Sequence, residues 1–233
     1  MKDKKIAIIQ SNYIPWKGYF DIINRVNEFI LYDNVQYTQR DWRNRNKIKT
    51  PEGLRWLTIP VEVKGKYFQK INETKIAQKD WGKRHWNKIL QNYSKAKYFK
   101  DYKKLFEDLY LSSNEKYLSQ INYKFIKVIN KILNIATQIS WLNDYEKTEC
   151  KTKALLHICK KVGATEYISG TAAKDYIEEE LFKQEKIKLT WFDYSDYQEY
   201  NQLYPPFEHN VSIIDLIFNE GPNAAKFMRS FKN

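Results

Sequence analysis

Cysteine is nearly absent from this chain: Cys150 and Cys159 are the only two in 233 residues. They form no disulfide framework, and no CxxC metal pair exists. Histidine is as scarce. His85, His157 and His209 show no HxxxH spacing, which argues against a zinc site. Glycine (seven) and proline (six) are few, and no low-complexity segment or internal repeat interrupts the chain. No GxxxxGK[ST] phosphate loop and no GxSxG elbow occur. No apolar run approaches the length of a membrane span. The opening MKDKKIAIIQ carries an apolar run too short for a signal peptide. These absences place the expected protein in a reducing, cytoplasmic compartment, near the inner face of the membrane.

What is abundant is aromatic and basic. Hydrophobic residues make up 42% and aromatic residues 16%, enough for a real core and too many for disorder. The net charge of +12 is one-sided. Residues 1–105 hold 24 Lys/Arg against 10 Asp/Glu, a net +14, whereas residues 106–233 hold 16 against 18, a net −2. An anionic partner is therefore expected at the N-terminal half. Nucleic acid, an anionic lipid surface and a phosphorylated small molecule all fit that field.

The charge concentrates in residues 33–49, DNVQYTQRDWRNRNKIK. Arg40, Arg43, Arg45, Lys47 and Lys49 are packed among Tyr37, Trp42 and the side-chain amides, Gln36 included. Arginine offers a planar, permanently charged fork that suits phosphate or carboxylate. Aromatic and amide neighbours add stacking and hydrogen bonds. The pattern points to an anion with a flat or polar body, such as a nucleotide.

The periodicity predicts a strand over 6–9, a loop over 10–15, a helix over 16–27 and a strand over 28–32, a β-loop-α-β unit of parallel strands. A third strand is predicted at 55–63, with Pro60 marking an edge or bend. Helices follow at 81–93, 100–111 and 115–133, the last with an apolar stripe of Leu118, Ile121, Phe125, Val128, Ile129 and Ile132. Beyond them a helix at 151–162 stops at Gly163. Then come a strand at 166–168, a helix at 172–182, a strand at 187–192 and a helix at 211–219. The expected fold is one α/β domain over 1–233, a mostly parallel sheet of βαβ units, with a helical insert at 80–145.

The loop after the first strand lies where open α/β sheets bind ligands. Gln10, Asn12, Tyr13 and Trp16 would line that crevice, and Gly18 would allow close approach. A plain helix start with capping amides is the alternative. The cation-rich stretch follows the second strand and would open onto the same edge. Asp33 and Asp41 would orient its arginines or bind a metal; a surface loop of Arg–Asp pairs is the rival. Ser169 and Gly170 precede a helix carrying Lys174 and would hold a second anionic group, or Thr171 merely caps that helix. His209 beside Glu208 is the candidate general base, His85 the second histidine of interest, and His157 a packed residue on an apolar helical face.

QSNYIPWKGYFDII and LYDNVQYTQRDWRNRNKIKTPEG resemble the bacterial WbqC-like protein family. So do RHWNKILQNYSKA, KTKALLHICKKVGATEYISGTAAKDYI and DYSDYQEYNQLYPPFEHNVSIIDLIFNEG. The resemblance covers nearly the whole chain. Ser11 departs from it, standing where Pro is usual. The resemblance implies a role in surface-polysaccharide biosynthesis, of O-antigen or lipopolysaccharide type, acting on nucleotide-linked amino sugars beside other glycan-biosynthesis enzymes. A fainter likeness, to pantothenate-synthetase-like enzymes, rests on the opening strand, loop and helix; their HxGH signature is absent.

Together these readings give a transferase that passes an acyl or aminoacyl group to the amine of a nucleotide-linked amino sugar. Arg40, Arg43 and Arg45 would clamp the diphosphate or a carboxylate, Tyr37 and Trp42 would stack on base or sugar, and His209, backed by Glu208, would accept the amine proton. ATP with Mg²⁺ would be needed if the acyl group is activated in place. The rivals are a single-stranded nucleic-acid binder and a non-catalytic glycan-pathway scaffold.

Overall fold

The computed structural model describes residues 3–142 and 151–231. Strand β1 (Lys5–Ile9) is almost wholly apolar, as a strand covered on both faces must be. Helix α1 (Lys17–Asn24) returns the chain to β2 (Glu28–Leu31), parallel to β1 from Ile6 opposite Glu28 to Ile9 opposite Leu31. The chain then leaves the sheet. It forms a hairpin of β3 (Arg45–Thr50) and β4 (Gly53–Thr58), and three helices: α2 (Trp81–Tyr93), α3 (Phe99–Leu111) and α4 (Leu118–Ile132). It re-enters as β5 (Gln138–Trp141), beside β2. After α5 (Lys151–Lys161) it crosses to β6 (Glu166–Gly170) on the other side of β1, then through α6 (Glu179–Gln184) to β7 (Lys188–Phe192). Helix α7 (Ile213–Glu220) and short 3-10 turns close the chain.

The main sheet is parallel throughout, in the order β5-β2-β1-β6-β7, so the fold is α/β. Alternation along the strands divides the core. Ile6, Ile8 and Ile30 face α5 and α6, while Ala7, Phe29 and Leu31 pack with α1, α4, α7 and the hairpin. Connections run outward on one side of β1 and then on the other, so the order reverses between β1 and β6. Ligands in such sheets bind outside the carboxyl ends near the reversal.

Three predicted boundaries shift. The third strand, expected over 55–63, ends at Thr58 and pairs with β3, apart from the main sheet. Pro60 has no N–H to extend the ladder; its carbonyl instead accepts from Ala77 N–H (2.9 Å). The helix expected over 172–182 is a 3-10 turn at Thr171–Asp175 followed by α6, interrupted at Tyr176. Within 80–145 the helices occupy 81–132, and β5 adds a strand to the main sheet; residues 143–145, like Cys150, lie outside the described residues. Among the described residues no helix is long and apolar enough to cross a membrane.

Candidate functional site

The loop after β1 is held in a strained shape. Ile14 is fully buried at φ +37°, a region β-branched residues rarely enter. Asn46 on β3 stabilises it: its Nδ2 donates to the carbonyls of Tyr13 (3.2 Å) and Ile14 (3.0 Å). Tyr13 N–H donates to Trp42 O (3.1 Å), binding the loop to the cation-rich stretch. Arg43 completes the join. Its guanidinium donates to Asn12 Oδ1 and, at 3.3 Å, to Gln10 Oε1, and it pairs with Asp41 at 3.5 Å.

A cavity of about 250 Å³ opens at this junction, lined by Asn12, Pro15, Trp16, Trp42, Asn46 and Asn210. It joins three segments far apart in sequence. Gly18 shapes it from below: a Cβ there would come within 2.4 Å of the Trp16 ring, which the glycine lets lie flat over α1.

The five cations do not converge. Successive residues of β3 point to opposite faces. Asn46 and Ile48 turn inward, whereas Arg45 and Lys47 lie over Trp56, at 4.1 and 5.1 Å from its ring centroid. Lys49 is buried, its ammonium donating to Pro206 O and its N–H to Tyr93 Oη (2.9 Å). Arg40, at φ +58°, borders a second cavity of about 210 Å³ with Tyr37, Asn44 and Arg45. Only Arg43 reaches the β1 loop. Gln36 instead donates to Tyr67 O (2.9 Å).

Behind Arg43 lies a buried polar cluster. Asp33 Oδ1 accepts Ser11 N–H (2.7 Å), and its other oxygen is buried without a partner; burial raises its carboxyl above the ordinary range. Asn122 on α4 donates to Ser11 Oγ (3.0 Å) and Arg43 O (2.9 Å). A proline at position 11 would supply neither group. Tyr13 and His85 sit deeper still. His85 Nε2 lies 3.1 Å from Thr58 O and must carry the proton, so Nδ1 accepts from Tyr13 Oη at 2.8 Å. Burial, above all, lowers His85 to about 4, and the ring stays neutral.

His209 is half-buried, edge-on to Phe207, with Nδ1 buried and unpartnered. Desolvation, helped by Lys17, holds it below the ordinary histidine range; Glu199 and Glu208 act in the opposite sense. Its neighbour Asn210 borders the first cavity. Ser169, Gly170 and Lys174 do not line that cavity; Ser169 is buried and Lys174 lies 5.6 Å from the Trp191 ring centroid. His157, expected in the core, is exposed, because it falls on the outer face of α5. Among the described residues no three of His, Cys, Asp and Glu are grouped to hold a metal ion.

Residue-by-residue reading missed Asn46, Asn122, Asn210 and Lys17. Asn122 carried a signal: it is an amide on the apolar stripe of α4. Lys17 carried another, a cation at a helix N-terminus, where the dipole opposes it. Its ammonium donates to Gln198 O (3.1 Å) and sits 5.1 to 5.8 Å from the ring centroids of Tyr197, Tyr200 and Phe207.

Burial lowers Lys17 from 10.5 to about 8, against the opposing pull of Asp21, Asp215 and Glu199. Between about pH 8 and pH 10 the unfolded chain keeps a proton that the folded chain has dropped, so this group makes stability rise with pH. The buried tyrosines, raised above 10, act only at higher pH and with the opposite sign. Lys17→Met should remove the rise, as read by urea unfolding at about pH 7 and about pH 9.5.

The WbqC-like protein family model matches residues 10–227. An uncharacterised protein of Mycobacterium tuberculosis, Rv1507c, is 48% identical over 226 residues, covering 97% of this chain and 98% of its own length. A crystal structure of a zinc-bound AdcAII variant of Streptococcus pneumoniae aligns with 97% of this chain and 100% of its own. Its identity is 10% and its TM-score 0.24, too low to carry an argument.

Proposed function

The chain belongs to the WbqC-like protein family, and from that premise we propose that it transfers an acyl or aminoacyl group to the amine of a nucleotide-linked amino sugar. Family membership supports a role in a glycan pathway, here surface-polysaccharide assembly of the O-antigen type. The observation that carries the reading is the junction at Arg43. One arginine joins the loop after β1 to the stretch after β2 at the carboxyl edge of the sheet, beside a cavity walled by Trp16, Trp42 and amides.

A cavity of about 250 Å³ holds one ring of such a substrate, sugar or base. The diphosphate would lie across the rim, where it would take the place of Asp41 on the Arg43 guanidinium. Trp16 and Trp42 would stack on the ring, and Asn12, Asn46 and Asn210 would hydrogen-bond its edge. In the transfer, the amine nitrogen bonds to the acyl carbon while the leaving group departs with its electron pair. The amine proton would pass to His209, whose ring desolvation keeps neutral and whose neighbour Asn210 borders the cavity.

A thermal-shift screen with ATP, acyl-CoA and UDP-, GDP- and dTDP-sugars tests the ligand class. A ligand at 100 times its Kd adds about 2.7 kcal/mol, and no shift with any of them would sink the reading. His209→Asn should slow turnover by about 10²- to 10⁴-fold with substrate affinity kept. The wild-type rate should be flat near neutral pH and fall below the ordinary histidine value; equal pH profiles in both proteins would remove His209 from the mechanism.

A further inference from the structure

Residues 62–70, EVKGKYFQK, form a loop built from the inside. Lys66 N–H donates to Val63 O (3.1 Å), Gln69 N–H to Lys66 O (3.2 Å) and Tyr37 N–H to Gln69 O (2.9 Å). Gln69 Nε2 donates to Glu62 O (2.7 Å), and Gln36 Nε2 binds Tyr67 O. Gly65 turns the chain at φ +72°, where a side chain would be strained. This well-tied backbone holds two aromatic rings outward. Tyr67 is 71% exposed and Phe68 82%, while no other large hydrophobic among the described residues exceeds 53%. The rings meet edge to face at 5.0 Å. Lys64, Lys66 and Lys70 surround them, Lys66 paired with Glu62 and Lys70 with Glu73.

Two side chains are far too little apolar surface for a stable protein interface, which needs about 800 Å² from each partner. A polynucleotide asks for a continuous basic track, and the carboxylates of Glu62 and Glu73 interrupt this one. A bilayer asks for less. Amphipathic rings settle at the headgroup level, and lysines bury their stems while their ammonium groups meet lipid phosphates. Each basic residue near an anionic leaflet strengthens attachment roughly fivefold.

We infer that residues 64–70 are an anchoring loop that seats this protein on an anionic membrane surface, with Tyr67 and Phe68 entering the headgroup layer. The inference stands apart from the transferase reading, since the loop shares no residue with the cavity beside Arg43.

The test is co-sedimentation of the full chain with vesicles of phosphatidylcholine alone or mixed with phosphatidylglycerol. The wild type should sediment only with the anionic vesicles. The double variant Tyr67→Ser, Phe68→Ser should lose at least tenfold in binding while keeping its circular dichroism and any nucleotide-sugar affinity. In Phe68→Trp, fluorescence should shift to the blue on adding anionic vesicles. The inference fails if the wild type ignores them, or if the double variant binds them as well. It fails equally if the loop instead drives self-association or oligonucleotide binding without vesicle binding.

Discussion

Asp215→Ala is expected to cost about 3–5 kcal/mol, a large share of the roughly 5–15 kcal/mol that holds a domain folded. Asp215 is fully buried on α7 and accepts four side-chain donors. Tyr200 Oη (2.6 Å), Gln202 Nε2 (2.9 Å) and Asn219 Nδ2 (3.3 Å) bind one oxygen, and Tyr93 Oη (2.7 Å) binds the other. Tyr93 in turn accepts Lys49 N–H, so one carboxylate ties α7 to α2, to β3 and to the segment at 200–202. Alanine would leave the Tyr93 and Tyr200 phenols buried without their acceptor, each costing about 1–3 kcal/mol, while the two amides keep the carbonyls of Glu208 and residue 215. Asp215→Asn keeps the shape and one acceptor, and should cost less than half as much. Urea unfolding of the two variants checks the order; an unchanged midpoint for Asp215→Ala would show that the network carries little.

Arg43→Ala is expected to weaken binding of a nucleotide sugar at least a hundredfold. The residue would contribute a charge-assisted contact to the ligand, and it also sets the two loops that wall the cavity. Removing it leaves Gln10 and Asn12 without their charged donor, so stability should fall by about 1–3 kcal/mol. Arg43→Lys separates the roles. Lysine restores charge but cannot bridge two amides and an anion with one planar fork, so stability should return further than affinity. Calorimetric titration alongside urea unfolding reads both. Affinity intact in Arg43→Ala would mean that the anion binds elsewhere.

Much of the fold was legible because local pattern and tertiary environment agree. The run Ile6-Ala7-Ile8-Ile9 can satisfy two apolar faces only inside a parallel sheet. The stripe on α4 leaves one buried face for that helix. Where local pattern is weak, reading stopped. Gln138–Trp141 is short and half polar, and becomes a strand because β2 offers it a free edge. Strand β3 alternates cations with Asn and Ile, a composition poor in strand formers. It is a strand because β4 pairs with it across six residues and Tyr93 and Asn46 anchor it.

The sequence by itself determined a basic N-terminal half, a parallel α/β framework and two loops at one edge of its sheet. It also determined the family, through long blocks of matching residues. Only the tertiary structure decided where each cation goes. Alternation alone would leave Arg45, Lys47 and Lys49 on one side of β3, and it is the partner each side chain finds that separates a run dense in one dimension. Arg43 joins the β1 loop, Arg45 and Lys47 lie over Trp56, and Lys49 enters the interior. Tertiary structure alone also brought Asn46, Asn122 and Asn210 to the same edge. Each comes from a different element, and only the closing of the core against the sheet sets them side by side.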